Sequence, residues 1–264
     1  MNVVLFINGI LGLRVLDFVS DLGECKLSGV VLNSDSKRTP NYLEQVESLL
    51  RAKSLDLPIV KWKREISQSA QLDVLLNGVN FGVSALFGHI LSDDVVEKFP
   101  GGILNLHPSL LPIGRGADPI PWGIIERQMQ GITLHLIDKG LDTGDIVYQK
   151  EISSDNSMNA GEIYEEAMSE LFNVFSRLFI KWINGEIQTK PQSMTSHSQH
   201  KSNDLDSMKI IEDSQIGTFG EFIRRVQATS FSNGSLPKYR DSEGSIWEVS
   251  IKILKPRKNE EEWK

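Results

Sequence analysis

Cysteine is almost missing from this chain of 264 residues: Cys25 stands alone. That excludes an internal disulfide framework and fits a reducing compartment. A basic surplus is missing too. The formal net charge is -7 and the sequence pI about 5.3, the reverse of what a chain needs when its affinity depends on neutralising nucleic-acid phosphates. No stretch is apolar for long enough to span a bilayer. The opening MNVVLFINGILGLRVLDFV is interrupted by Arg14 and Asp17, and it lacks a basic n-region and a small-residue cleavage site. These absences predict a cytoplasmic protein with no nucleic-acid and no membrane partner. Histidine and cysteine nowhere fall at metal-ligand spacing, so no metal is expected. Repeats are absent, and NGILG after the first apolar run lacks the G-x-G-x-x-G spacing of a dinucleotide loop. The two dense basic stretches, KWKRE (61–65) and LKPRK (254–258), read as solvated charge at element edges.

What is present is a regular alternation. Apolar runs at 3–7, 27–33, 57–62, 81–88 and 102–107 read as strands, with helical periods near 10–22, 42–55, 67–77 and 92–98 between them. Near-continuous apolar strands separated by helices predict a Rossmann-like α/β fold, mostly parallel, with helices on both faces. Two further strands, 131–138 and 145–152, flank KGLDTGD, and a long amphipathic helix follows with Ile163, Ala167, Leu171, Val174, Leu178 and Trp182 on its apolar side. Composition then breaks. The predicted organisation is one body over 1–188, a polar linker over 189–207, and a small C-terminal α+β appendage over 208–264, built from one helix and a hairpin turning at DSEG.

The chemistry concentrates in GGILNLHPSLLPIGRGADPIPWG (101–123). Asn105 and His107 are two apart on a strand, so they share a face, while Leu104 and Leu106 pack on the other. Pro108 biases His107 to extended geometry, and Pro112 and Gly116 shape the loop behind it. Such stiffening suits a side chain that must be aimed. One of Asp138, Asp142 and Asp145, in the acid-rich loop DKGLDTGDI, is expected to face the same cleft. An amide, an imidazole and a carboxylate together suit acyl transfer to an amine: the amide steadies a developing oxyanion, and the other two handle a proton.

NLHPSLLPIGRGADP followed by GITLHLIDKGLDTGDIVYQ resembles the 10-formyltetrahydrofolate-dependent formyltransferase family over residues 1 to about 190. The resemblance implies that 1–188 is the catalytic domain and that 10-formyltetrahydrofolate is the co-substrate. It implies that Asn105, His107 and Asp142 are catalytic. On the cofactor side it implies Phe87, Gly88, His89, Ile90 and Leu91, whose main chain meets the pteridine, with Leu136, Asp138 and Leu141 as the other wall. His135 would be structural. The intermediate length, the RGADPIPWGI continuation and the small tail are most similar to the nucleotide-sugar N-formyltransferases, which formylate an amino-dideoxysugar. Gly9, Arg115, Gly116 and Trp122 are then the expected substrate contacts, Arg115 for the diphosphate and Trp122 for stacking. Alternatives are a methionyl-tRNA formyltransferase, or a tailoring module for another small amine or aminoacyl acceptor. By analogy with the sugar enzymes, a homodimer is expected, with the tail helix or hairpin as its contact surface.

Overall fold

The computed structural model describes residues 1–33, 39, 41–62, 70–193, 199–201, 203–212, 217–231 and 235–254. Seven strands form the central sheet: β1 (Asn2–Ile7), β2 (Lys26–Asn33), β3 (Ile59–Trp62), β4 (Phe81–Ala85), β5 (Ile103–His107), and two more, at Gly131–Leu136 and Ile146–Glu151. A two-residue strand, β6 (Arg115–Gly116), intervenes, so the last two are β7 and β8. The sheet order is β3-β2-β1-β4-β5-β7-β8. The first five strands run parallel, while β7 and β8 are antiparallel to their neighbours. This is the mostly parallel α/β fold that the apolar alternation predicts.

β1 shows why both faces are covered. Val3, Leu5 and Ile7 enter one buried cluster and Val4 and Phe6 the other, as the two-residue period of a strand requires. The first cluster is closed by α1 (Gly9–Ser20), α2 (Tyr42–Ala52) and the 24-residue α6 (Ala160–Ile183); α3 (Ala70–Leu75) and α4 (Asp93–Val96) cover the second. α6 starts at a capping box: Glu162 N–H donates to Asn159 Oδ1 at 3.1 Å, and Asn159 N–H donates to Glu162 Oε2 at 2.8 Å. Among the described residues no helix is long and apolar enough to cross a membrane.

One strand is shorter than expected, and two features add to the expected organisation. β4 ends at Ala85, not 88, because Leu86 and Gly88 take positive φ values of 55° and 76°. The stretch after β5 holds a short helix, α5 (Pro119–Ile125). Described parts of the polar segment after α6 pair with the main body: Ile146 and Lys190 exchange backbone bonds of 2.7 and 2.9 Å, and β9 (Gln199–His200) pairs in parallel with β6. Further on come a 3-10 turn (Asp204–Met208), β10 (Ile210–Glu212), α7 (Phe219–Thr229), β11 (Lys238–Arg240) and β12 (Ile246–Glu248), with β10, β11 and β12 forming a small sheet. α7 docks at the start of α6, where Gln227 Nε2 donates to Asn156 O at 2.8 Å and Gly161 N–H donates to Ser230 O at 3.0 Å. Of the basic stretches, residues 63–65 and 255–258 lie outside the described residues, as do 67–69 of the third helix candidate.

Candidate active site

Asn105 and His107 project from one face at the carboxyl end of β5, and the alternate residues Leu104 and Leu106 are buried. His107 Nε2 lies 2.8 Å from the Gly114 carbonyl oxygen. A carbonyl only accepts, so Nε2 carries the hydrogen, and Nδ1 is the nitrogen turned toward Asp142, 3.8 Å from its Oδ2. Across the β5–β7 ladder, Asn105 pairs with His135. His135 Nδ1 donates to the Leu136 carbonyl at 2.8 Å, so its Nε2 accepts from Asn105 Nδ2 at 3.0 Å. Burial pushes the His135 pKa down to about 4; the nearby Asp142 opposes that shift and His107 adds to it. The ring is therefore neutral near pH 7, the state that lets Nε2 accept.

Of the three loop acids, Asp142 alone joins the cluster. Its Oδ1 lies 3.6 Å from His135 Nε2, and its Oδ2 accepts from Gly116 N–H at 2.9 Å. Its backbone is left-handed, φ 52°, a costly conformation that persists only where the surroundings dictate it. Gly144 is one of those surroundings, since a Cβ there would come within 2.0 Å of Leu136 O. Asp138, whose main chain is expected on the cofactor side, turns its carboxylate into its own loop, accepting from Gly140 N–H at 3.1 Å and Thr143 Oγ1 at 2.6 Å. Asp145 accepts from Thr189 Oγ1 at 3.1 Å.

The stiff loop after β5 is braced from β7 and β8. Thr133 Oγ1 donates to Ser109 O at 2.6 Å, and Gln149 Nε2 donates to Leu111 O at 2.7 Å. The Leu111–Pro112 peptide is cis. Arg115 donates from Nη2 to Gln192 Oε1 at 2.7 Å, and among the described residues it has no carboxylate partner. Trp122 is not available for stacking on a ligand. It is 8% exposed, and the His200 ring lies parallel on it, 3.7 Å between centroids.

Among the residues expected to meet the cofactor, the Phe87 side chain is core, edge-on to Phe6 and Trp62, and Leu91 is buried as well. What 87–91 offers a ligand is main chain around Gly88 and the exposed Ile90, with Asn33 Nδ2 holding the Phe87 carbonyl at 2.9 Å. His89 is half-buried in the same loop. Gly9 opens α1 with φ 62°, and Leu136 and Leu141 border the Asp142 loop. A separate cavity of about 480 Å³, lined by Asp73, Asn77, Gly78 and Lys98 among others, opens at the amino ends of the strands, where Asn2 Nδ2 reaches Gly78 O.

His135 is the member of the cluster that sequence reasoning set aside; its position opposite Asn105 follows from strand register, which only β7 pairing reveals. Residues 107, 135 and 142 are also too far apart in the chain for metal spacing to show. Their ligand atoms nevertheless lie within 4.8 Å of one another. Tetrahedral zinc would need such atoms roughly 3.3 Å apart, given its bonds of ~2.0–2.1 Å. The Asp142 carboxylate lies between the two rings, 3.6 Å from His135 Nε2 and 3.8 Å from His107 Nδ1.

Fold and site together define the class: a mostly parallel α/β sheet whose β5 and β7 carry an amide–imidazole–carboxylate cluster. The chain belongs to the formyl transferase family, whose sequence profile matches residues 16–177, more than half of it. A methionyl-tRNA formyltransferase from Ruminiclostridium cellulolyticum is 38% identical over 116 residues, which is 44% of this chain and 37% of that protein. The chain thus aligns with little more than a third of that curated relative's length. Among solved structures, a 4-N formyltransferase from Francisella tularensis superposes with a TM-score of 0.78 at 18% identity, covering 97% of this chain and 98% of that one, a likeness of fold. The formyltransferase PseJ from Anoxybacillus kamchatkensis was solved in complex with UDP-4,6-dideoxy-4-formamido-L-AltNAc and tetrahydrofolate. It is 25% identical with a TM-score of 0.54, covering 75% of this chain and 96% of that one.

Proposed function

We propose that the protein moves the formyl group of 10-formyltetrahydrofolate onto the amine of a nucleotide-linked amino-dideoxysugar. The observation that carries the chemistry is the pairing of Asn105 with His135 beside His107 and Asp142. The lone pair of a neutral amine attacks the formyl carbon, and the carbonyl electrons move onto oxygen. Asn105 has one N–H committed to His135, which leaves its second for that oxyanion; a preorganised donor of this kind contributes about 10²–10³ in rate. His107 directs its Nε2 N–H to Gly114, so its Nδ1 is the site that takes the amine proton, steadied by Asp142. Collapse of the adduct expels the folate nitrogen N10, which receives that proton from Nδ1 or through a water held by Asp142. Protons and electrons balance, with the amine losing one hydrogen and N10 gaining one.

The main chain at 87–90 and the Leu136–Asp142 wall are the surfaces that would hold the pteridine. Arg115, beside Gly116 and without a carboxylate partner among the described residues, is a cation that could meet an acceptor diphosphate. The sugar reading draws on the Anoxybacillus enzyme and its formamido-sugar nucleotide. The net charge of -7 disfavours tRNA. One observation favours methionyl-tRNA as a second reading, the 38% identity to a methionyl-tRNA formyltransferase over part of the chain. Incubation with 10-formyltetrahydrofolate and a panel of nucleotide amino-sugars, glycinamide ribonucleotide and methionyl-tRNA decides by mass gain. Formylation of methionyl-tRNA alone would defeat the sugar reading.

A further inference from the structure

Gln192 lies in the polar segment that composition assigns to a linker, yet every polar group of its side chain is used at the site. Its Nε2 donates to Asp142 O at 2.9 Å and to Gly144 O at 2.7 Å, and its Oε1 accepts from Arg115 Nη2 at 2.7 Å. Asp142 in turn accepts from Gly116 N–H, the peptide next to Arg115. The bonds close a ring: Gln192 to Arg115, along the chain to Gly116, across to Asp142, and back to Gln192.

We propose that Gln192 is a positioning residue that sets the place of Asp142 relative to Arg115. The inference rests on the reading of Asp142 as proton handler and Arg115 as acceptor cation. Three observations support it. Asp142 holds a left-handed φ of 52°, which a side chain costs free energy to occupy unless its neighbours fix it. Gln192 supplies that fixing at the carbonyls of Asp142 and Gly144, on either side of Thr143. Second, Gln192 is itself anchored: the two-bond bridge between Lys190 and Ile146 lies two residues before it, and Thr189 holds Asp145. Third, the segment it belongs to returns to the same loop at β9, where Ala117 N–H donates to His200 O at 2.9 Å. A primary amide is the side chain that can do all this, because it donates twice and accepts at once.

The two halves of the amide act on different groups, and two variants alter them in different ways. Gln192→Glu keeps an acceptor for Arg115 and removes both donors to the Asp142 loop. Gln192→Met, of similar length, removes everything. Both variants are expected to lower kcat by about 10- to 100-fold, the scale of a misplacement of ~1 Å. Both are expected to raise the acceptor KM as well: Gln192→Met because Arg115 loses its partner, and Gln192→Glu because the new carboxylate pairs with Arg115 and competes with the diphosphate. Amide hydrogen exchange at Gly116, whose N–H bonds the Asp142 carboxylate, is measured on the same proteins without any substrate. It is expected to accelerate at least tenfold in both variants while the β1 and β4 amides stay protected. Unchanged Gly116 exchange overturns the inference, and so does faster exchange with wild-type kcat. If the wild type formylates no amine of the panel, the reading of the function fails, while Gly116 exchange still decides whether Gln192 holds the loop.

Discussion

Asn105 and His135 face each other across the β5–β7 ladder, and the amide of the first donates to Nε2 of the second at 3.0 Å. The contact fixes which end of the amide meets the cleft: with Nδ1–H held by the Leu136 carbonyl, His135 can only accept, so Asn105 must present N–H. The β7–β8 register shifts between Leu134 and His135, an irregularity of the kind that aims a side chain beside a site. His135→Leu should therefore strand both Asn105 Nδ2 and the Leu136 carbonyl. Expected is a stability loss of about 1–3 kcal/mol with a fall in kcat that exceeds any change in folate affinity. Urea titration, initial rates and tetrahydrofolate binding check this; wild-type kcat in a folded variant would remove His135 from the mechanism.

A pH dependence follows from the same residue. Its folded pKa, about 4, lies below the ordinary histidine value of 6.5. Between those values the unfolded chain binds the proton and the folded one does not. The contribution of His135 to stability is thus intact above about pH 6.5 and declines steadily as pH falls toward 4. Wild type should lose more stability than His135→Leu over that window, measured as the difference in urea midpoints at pH 6.5 and 4.5. Parallel losses would show that His135 is not held neutral.

His107→Asn and Asp142→Asn should each reduce turnover by about 10²–10⁴-fold, the usual range for a lost acid–base group. Tetrahydrofolate binding should change little, because the proposed pteridine contacts at residues 87–91 are main chain. Asp142→Asn can still accept from Gly116 N–H through its amide oxygen, so it separates charge from geometry. Equilibrium binding and single-turnover formyl transfer test the pair; a joint loss of binding and turnover would place these side chains at the pteridine.

The parallel sheet was readable because β1, β2, β4 and β5 are buried over most of their length and therefore mainly apolar. Asn105 and His107 were readable for the opposite reason, as polar residues at the end of such a run. His135 was not: its neighbours Leu134 and Leu136 read as an ordinary strand, and its role depends on which residue of β5 it opposes. Asp142 could be told from Asp138 and Asp145 only by motif, since a backbone conformation decides which carboxylate turns inward. Gln192 was hidden by composition. A segment rich in Ser, Thr and Gln looks like solvated linker, yet these are the side chains that satisfy backbone groups of a neighbouring loop.

Trp122 gives the last prediction, because its surroundings argue for packing over recognition. One face is taken by His200, whose Nε2 lies 2.7 Å from Oε1 of Glu126, the C-cap of α5, and the residue is 8% exposed. Its indole Nε1 is buried with no hydrogen-bond partner among the described residues. Trp122→Ala should then cost about 3–5 kcal/mol, the usual range for an aromatic deleted from a core. Trp122→Phe keeps a ring for His200 and discards the unsatisfied N–H, which offsets part of the lost volume, so it should remain within about 1 kcal/mol of wild type. The acceptor KM of Trp122→Phe should match the wild type, since no ligand face is lost. Thermal melts and a KM series on the two variants decide: a tenfold rise in KM at unchanged stability would return Trp122 to the binding surface.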